Sequence, residues 1–186
     1  KKFMSGFTIT ELLIGLFIIG ILTALVAPSL DGLMLKSRVD NEISELHRLL
    51  LTARNNAVNS GKNVTVCPLS GKDCGTDWQN ELSAFTNDGS SLVNNKSYDS
   101  ANEELIKVKS KVANGDTLKF NKDIIIFSPT GRLISGGNGN FSYCPTGSND
   151  LSRGINTSLS GRLYKTSDTD NDNKDENRDG TEVSCS

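Results

Sequence analysis

The sequence is poor in histidine and in aromatic residues. Only one of its 186 residues, His47, is a histidine, only one is a tryptophan, and aromatic residues make up 6%. His47 lies off the apolar stripe of a predicted helix, so we expect it to be solvated and without the partners that a general base or metal ligand needs. The glycine-rich run 136–139 opens no helix, which argues against a phosphate-binding loop. We therefore expect a structural, non-catalytic protein that requires no cofactor.

The net charge of the chain is small, but negative charge is concentrated in one segment. The net charge is −2, yet residues 168–182 hold seven acidic and two basic residues, a net charge of −5, which leaves +3 for the rest of the chain. Glycine, by contrast, is frequent with 17 residues. Many glycines with few aromatic residues favour a thin, turn-rich β domain over a large enzyme core.

The four cysteines, Cys67, Cys74, Cys144 and Cys185, all follow the N-terminal apolar segment. An even number is typical of an oxidising compartment and two disulfides, and the spacing is not the C-x₂-C of a zinc site. Four cysteines allow three pairings. We favour Cys67–Cys74, which closes a short turn, together with Cys144–Cys185, which ties the C-terminal segment to the body.

The N-terminus combines a short basic leader with a long apolar run. Lys1 and Lys2 come first, and Glu11 is the only charged residue from Phe7 to Ala27. A run of about 20 apolar residues can cross a bilayer as a helix, with the lysines on the cytoplasmic side. A carboxylate inside such a run is costly and needs a partner. An ordinary secretory signal or a plain anchor leaves Glu11 unexplained.

The segment from Gly6 to Glu11 resembles the class III signal of type IV prepilins and pseudopilins. The resemblance implies that a prepilin peptidase/N-methyltransferase cuts after Gly6 and methylates the new N-terminal residue, Phe7. It also implies that Glu11 pairs with the N-terminus of a neighbouring subunit during docking. We expect a leader at residues 1–6, a transmembrane or filament-core half-helix at 7–30 and a periplasmic head at 31–186.

The pattern becomes amphipathic after Pro28, which we expect to bend the helix. Apolar residues then recur at spacings of three and four, as on one face of a helix. This stripe consists of Val39, Ile43, Leu46, Leu50, Ala53 and Ala57. Asn59-Ser60-Gly61 ends the helix, so the head has an amphipathic helix at 31–59, and the whole helix is about 50 residues long.

A β domain is predicted for residues 62–186. Strands are expected at 63–66, 81–85, 104–111, 118–120, 124–127 and 141–144, followed by a hairpin of 154–159 and 162–166 around Ser160-Gly161. Residues 87–102 are predicted to be a loop. In the strand at 104–111, Lys107, Lys109 and Lys111 share one face, which either a DNA-binding surface or a solvated sheet face explains.

The strand into Cys67, the Trp78–Phe85 segment, the run 127–132 (Phe-Ser-Pro-Thr-Gly-Arg) and Ser160-Gly161-Arg162 resemble the FimT/GspH group of minor pilins and pseudopilins, to which FimU belongs. The implied fold is α+β and type IV pilin-like, with a long N-terminal helix packed on an antiparallel β-sheet head. The implied role is a FimU-like minor pilin that primes assembly and lies in the tip complex.

The acidic segment offers a candidate calcium site. Asp175, Asn177 and Asp179 with Gly180 fit the first half of a calcium-binding loop, D-x-[DN]-x-[DN]-G, but the glutamate expected at position twelve is missing. Asp168, Asp170 and Asp172 supply a second set at the same spacing. A solvated acidic loop held by a disulfide remains the favoured interpretation.

DNA binding is the alternative from another class. Some FimT-like pilins bind DNA through a Gly-Arg-x-Arg motif, and the chain has Gly161-Arg162-Leu163-Tyr164-Lys165. Arg162 matches, but Lys165 comes one place late, which on a strand turns it to the opposite face. The acidic segment that follows would repel phosphates, so DNA is a possible partner that we do not favour.

The sequence thus predicts a subunit of the bacterial inner membrane that crosses it once, carries a periplasmic head and later enters the pilus tip. Its expected partners are other minor pilins, the major pilin and the peptidase. Two alternatives remain open, namely a DNA-binding minor pilin of natural transformation and a GspH-like minor pseudopilin of type II secretion.

Overall fold

The computed structural model describes residue 6, residues 8–87 and residues 96–185, except for the side chains of residues 24–31. The chain divides into two compact units, one up to Ser37 and one from Arg38 to Ser186. A single helix of 52 residues, α1 (Ile9–Ser60), contributes to both units. Its length agrees with the length expected from the apolar run and the amphipathic stripe.

In the first unit, α1 exposes apolar side chains on all sides. The large apolar residues from Ile9 to Leu22 are between 48% and 79% exposed. Over the part of the chain that the structure describes, no helix combines the length and apolar character needed to cross a membrane. Phe7 and the side chain of Pro28, which carry the predicted processing site and bend, lie outside the described part.

In the second unit, the C-terminal part of α1 buries one face. All six residues of the predicted stripe, from Val39 to Ala57, are at most 5% exposed, which confirms the stripe. Leu49 is fully buried beside them. The helix ends at Ser60, and Gly61 follows with φ 67° and donates its N–H to the carbonyl of Ala57 at 3.1 Å. Gly61 therefore stops the helix where the sequence predicted.

Ten strands follow the helix in the described part of the chain. They are β1 (Asn63–Ser70), β2 (Asp73–Cys74), β3 (Leu82–Asn87), β4 (Leu105–Lys109), β5 (Thr117–Phe120), β6 (Ile125–Phe127), β7 (Leu133–Ser135), β8 (Asn140–Cys144), β9 (Arg153–Thr157) and β10 (Leu163–Lys165). A short 3₁₀ turn, Asn149–Leu151, lies between β8 and β9. Most predicted strands are present, whereas β2 and β7 were missed, and residues 88–95 of the predicted loop lie outside the described part.

The strands form two antiparallel sheets. The first has the order β4-β3-β1-β6-β7, with β2 paired to the end of β1, and the second has the order β10-β9-β8-β5. The predicted terminal hairpin is confirmed, because Tyr164 of β10 pairs with Asn156 of β9. The predicted α+β architecture is therefore confirmed, since a long helix packs against antiparallel sheets in the described part of the chain.

One apolar core contains side chains from α1 and from both sheets. Phe120 and Phe141 of the second sheet stack with ring centroids 4.0 Å apart, and Trp78 meets both rings edge-on. Trp78 is 2% exposed and donates its indole N–H to the carbonyl of Lys122 at 3.2 Å. Each large side chain buried in this way contributes about 1.5–3 kcal/mol to stability.

Strand β1 is longer than predicted, because it continues through Pro68. Strand β6 pairs only with Val64–Val66, so no β6 residue lies beside β1 at Pro68. On the β3 side, Leu69 still donates its N–H to the carbonyl of Glu81 at 3.3 Å. A proline is tolerated in a strand where its missing N–H has no ladder partner, and this explains the continuation.

Candidate functional site

The helix α1 begins with a reciprocal cap formed by Thr8 and Glu11. Oε2 of Glu11 accepts hydrogen bonds from the backbone N–H of Thr8 at 3.0 Å and from its Oγ1 at 2.9 Å. In return, Oγ1 of Thr8 lies 3.3 Å from the N–H of Glu11. This is a capping box, which satisfies backbone groups that the first helical turn would otherwise leave without partners.

The capping box gives Glu11 a structural task that the sequence analysis missed, although the spacing Thr8-x-x-Glu11 could have shown it. Gly6 is exposed two residues before Thr8. Phe7, the predicted N-terminal residue of the mature protein, lies outside the described residues. Glu11 is exposed as well, so the pairing with a neighbouring subunit stays a prediction.

Two disulfides tie the head together. The structure joins Cys67 to Cys74 and Cys144 to Cys185, which is the pairing favoured from the sequence. The first closes a separation of seven residues at the end of β1. The second links the C-terminal residues of the chain to the end of β8 across 41 residues.

Buried ion pairs hold the helix against the two sheets. Nζ of Lys109 on β4 lies 2.6 Å from Oε2 of Glu42 on α1, and the Lys109 side chain is only 3% exposed. Lys109 thus faces the helix, so neither a DNA-binding surface nor a solvated sheet face describes this strand at the central one of its three lysines. Its burial is possible because Glu42 neutralises the ammonium group.

Asp116 forms a second anchor. It is buried, and its carboxylate accepts hydrogen bonds from Arg38 at 3.2 Å, from the N–H of Thr146 at 2.8 Å and from the hydroxyl of Tyr143. Burial of Tyr143, reinforced by the negative charge of Asp116, raises the pKa of its hydroxyl well above the usual range. The hydroxyl therefore stays protonated and acts as a donor.

His47 is half-buried against the terminal hairpin, contrary to the expectation of a solvated side chain. Burial and the nearby positive charge of Lys165 lower the pKa of His47, and an interaction with the backbone of Leu163 opposes them in part. Both residues belong to β10. The sequence could not show this contact, because β10 follows His47 by more than a hundred residues.

The residues of the predicted DNA site point to different neighbours. Nζ of Lys165 donates to Oγ of Ser44 on the helix at 3.1 Å, whereas Arg162 is exposed and hydrogen-bonds to Tyr164. Arg178 of the acidic segment lies over the same ring, with its Cζ 4.0 Å from the centroid. Hydrogen bonds from Arg162, and to a lesser extent from Arg178, lower the pKa of Tyr164.

The predicted calcium ligands Asp175, Asn177 and Asp179 are engaged with protein groups. Asp175 is buried, pairs with Nη1 of Arg153 at 2.8 Å and accepts from Thr166 at 2.8 Å. Oδ1 of Asn177 accepts from Asn156 at 2.8 Å, and Oδ1 of Asp179 caps the backbone N–H of Thr181 at 3.1 Å. Both carboxylate oxygens of Asp175 are thus engaged, and Arg153 already neutralises its charge.

The carboxylates of the second acidic set lie close together, and that of Glu176 joins them. Asp168, Asp170, Asp172 and Glu176 each bring a carboxylate oxygen to within 4.8 Å of the others. The sequence did not predict Glu176 as a ligand. Gly180 placed the calcium-loop motif at Asp175, and Glu176 then falls between two of its ligand positions. Asn173, with φ 73°, takes the left-handed conformation for which the calcium-loop motif has a glycine.

Comparisons with known proteins bear on most of the head. A profile of the family described as type II transport protein GspH matches residues 42–161, well over half of the chain. A search of curated protein sequences gave no match. The matched residues include the stripe of α1 from Ile43 onward and nine of the ten strands in the described part of the chain.

Among solved structures, the chain is similar to the type IV minor pilin FimU of Pseudomonas aeruginosa. The TM-score is 0.52 at 22% identity, and the match covers 72% of this chain and 89% of FimU. The minor pseudopilin EpsH from the type 2 secretion system of Vibrio cholerae gives 0.49 at 12% identity, over 74% and 99%. The likeness to FimU supports the fold, and the family match identifies the relationship. The chain belongs to the GspH family of minor pilins and pseudopilins.

Proposed function

We propose that this chain is a minor subunit that primes assembly of a type IV pilus and lies in its tip complex. The observation that carries the proposal is the first unit, where α1 leaves apolar side chains exposed on all sides from Ile9 to Leu22. Exposed apolar surface of this extent needs lipid or other helices to cover it. A helix that exchanges lipid for neighbouring helices is what a filament subunit requires.

Family membership makes the chain a structural subunit and not an enzyme. It serves a type IV pilus or a type II secretion system, and the likeness to a type IV minor pilin, FimU, favours the pilus as the system. The proposed location is the bacterial inner membrane, crossed once with the head in the periplasm, and afterwards the pilus tip. Other minor pilins, the major pilin and the prepilin peptidase/N-methyltransferase are the proposed partners.

Docking is proposed to depend on the charge of Glu11, and the capping box allows a clean test. Glu11→Gln keeps an oxygen that can accept from Thr8 but loses the negative charge that would pair with a neighbour's amine. Thr8→Val keeps the charge and loses the hydroxyl of the cap. We expect the Glu11→Gln chain to reach the membrane and fail to restore pili in a deletion strain, whereas Thr8→Val restores them. Equal rescue by both variants would contradict the docking role.

The deletion strain also separates the two filament systems. Loss of this chain is expected to reduce the number of surface pili, counted by electron microscopy, while the remaining pili keep normal length. Fewer pili of normal length indicate a defect of initiation, whereas uniformly short pili would indicate a defect of elongation. Normal pili combined with loss of a secreted enzyme from the medium would favour type II secretion instead.

A DNA-binding minor pilin is the second candidate, favoured by one observation. Arg162 and Arg178 both interact with Tyr164, so two positive charges lie beside one aromatic ring. Such a group could contact a phosphate backbone and a base. The test is fluorescence anisotropy of labelled DNA with the full chain in detergent, at low and moderate salt. Salt-sensitive binding that Arg162→Ala abolishes and Arg48→Ala, an exposed helical control, retains would support it.

A further inference from the structure

The acidic loop, defined as residues 167–182, gathers four carboxylates around one point. One oxygen each from Asp168, Asp170, Asp172 and Glu176 lies within 4.8 Å of the others. The three aspartates are exposed, whereas Glu176 is only 6% exposed. Four negative charges this close repel one another strongly where one of them is shielded from water.

Glu176 supplies a separate indication that a ligand is expected. Its Oε2 accepts hydrogen bonds from the N–H and from Oγ1 of Thr169, both at 2.6 Å. Its Oε1 is buried and has no hydrogen-bond partner within the described part of the chain. A buried carboxylate oxygen without a partner costs free energy, and native structures nearly always satisfy such an atom. A cation, or a water molecule bound to one, would satisfy this oxygen.

The basic side chains of the neighbourhood are used elsewhere. Lys174 pairs with Glu182 at 3.0 Å and reaches Asp172 only at 3.8 Å. Arg153 pairs with Asp175 at 2.8 Å. Within the described residues, the 3.8 Å pair of Lys174 with Asp172 is thus the only ion pair that any of the four carboxylates makes. The charge of the cluster is left for a bound ion to neutralise.

We propose that Asp168, Asp170, Asp172 and Glu176 bind a calcium ion. All four ligands are hard oxygens, which Ca²⁺ and Mg²⁺ prefer over softer metals. Mg²⁺ demands a compact octahedral shell and gives up its waters reluctantly, whereas Ca²⁺ accepts six to eight oxygens in a flexible arrangement. Three exposed carboxylates on a loop, with room for water, suit the larger ion.

The bound ion would fix the acidic loop to the second sheet and to the helix. Asp175, next to Glu176, binds Arg153 of β9, and Arg153 in turn reaches Asp40 of α1 at 3.9 Å. Arg178, two residues beyond Glu176, covers Tyr164. The ion would therefore control how firmly the loop holds Arg178 in place. The proposal does not depend on which filament the chain serves.

The experiment is isothermal titration of the full chain, purified in detergent and freed of metals with EDTA, with calcium chloride. We expect one site with a dissociation constant of about 0.1–1 mM, the range of extracellular calcium modules. Thermal unfolding followed by Trp78 fluorescence should show a higher Tm with calcium than with EDTA. Magnesium chloride at the same concentration should raise the Tm much less.

Variants assign the ligands. Asp170→Asn and Glu176→Gln should each raise the dissociation constant by at least about tenfold. Without calcium, Glu176→Gln should unfold at the same or a higher temperature, because it removes one of the repelling charges. Asp179→Asn, which removes an equal charge from the same loop outside the cluster, should bind as the parent chain does.

Three outcomes would overturn the proposal. They are the absence of both heat and a Tm shift at about 10 mM calcium, well above the affinity of known extracellular sites; unchanged affinity in Asp170→Asn and Glu176→Gln; and an equal Tm rise with magnesium, which would indicate general charge screening. A loss of affinity in Asp179→Asn alone would place the ion at Asp175, Asn177 and Asp179 instead.

Discussion

The α-carbon of Gly161 faces the carbonyl oxygen of Gly131, so closely that a Cβ on Gly161 would lie 1.9 Å from that oxygen. Each glycine belongs to a turn of the same design, in which the N–H of Ser128 or Ser158 bonds to the carbonyl of an arginine four residues on. One turn follows β6 and the other precedes β10, so the contact joins the two sheets. Nε of Arg54 donates to the same Gly131 carbonyl at 3.0 Å and adds the helix.

Gly161→Ala should therefore destabilise the head strongly. A Cβ would collide with backbone, which cannot rotate away, and φ at Gly161 is 77°, where a side chain adds strain. We expect a loss of at least about 3 kcal/mol in the free energy of unfolding. Urea unfolding followed by the fluorescence of Trp78, the only tryptophan, measures it on the unit that begins at Arg38.

Gly147→Ala is the matched control, because φ is 85° there and a Cβ would meet nothing within 4 Å. It carries the backbone strain without the collision and should cost only about 1 kcal/mol. Similar losses in the two variants would show that the turns can separate without cost.

Lys109 and Glu42 should stabilise the head only when both are present. Lys109→Met leaves the Glu42 carboxylate without its cation, and we expect a loss of about 2–3 kcal/mol, since Glu42 keeps some contact with water. Combining it with Glu42→Gln should recover at least about half of that loss, because no buried charge then remains. Lys107→Met, on the same strand and outside any ion pair of the described residues, should change stability by less than about 0.5 kcal/mol. A double variant no better than Lys109→Met would refute the coupling.

His47 should make stability depend on pH. Its pKa is lowered in the folded state by burial and by Lys165, so the folded chain binds this proton less readily than the unfolded chain. Stability is then complete above the unfolded value of about 6.5 and falls as the pH drops from there through the folded pKa. Urea midpoints at several pH values between about 5.5 and 7.5 measure the slope of stability against pH. Most carboxylates titrate below this pH range, so they contribute little to the slope.

His47→Gln should remove the part of the slope that His47 causes. Lys165→Met should make the slope shallower, because without the neighbouring positive charge the folded pKa moves back toward the unfolded one. Identical slopes in the parent chain and in His47→Gln would refute the assignment.

The two disulfides should contribute differently to the free energy of unfolding. In the chain-entropy account, the Cys144–Cys185 link across 41 residues contributes about 4 kcal/mol and the Cys67–Cys74 link across seven contributes about 2.4 kcal/mol. Replacing each pair by alanines and comparing urea midpoints tests the order. A larger loss from the Cys67–Cys74 pair would mean that native packing outweighs the loop entropy.

Local patterns in the sequence predicted the elements well. The stripe from Val39 to Ala57 repeats at helical spacing and Gly61 follows it, so both the buried face and the end of α1 could be predicted. The strand at 125–127 could be predicted as buried on both sides, because its apolar residues do not alternate with polar ones. Strand β7 was not predicted, because its three residues are too few to show an alternation of apolar and polar side chains.

What the sequence did not show depends on distant residues. Lys109 is buried because Glu42, 67 residues earlier, lies opposite it. The division into two sheets depends on which strands pair, and strand periodicity does not encode strand order. In the acidic loop, the register of the proposed calcium ligands depends on an asparagine in place of glycine at the turn, and Asn173 takes the required left-handed conformation.

The Cys144–Cys185 link closes the acidic loop into a covalent ring with the second sheet. A protease that cuts the exposed stretch around Asp170 would therefore release nothing, since both halves stay joined through the link. The cut chain would migrate as a single species on a non-reducing gel and separate into two fragments only after reduction. A subunit nicked in this loop could thus remain in a filament, so that damage to this exposed loop need not shed the subunit.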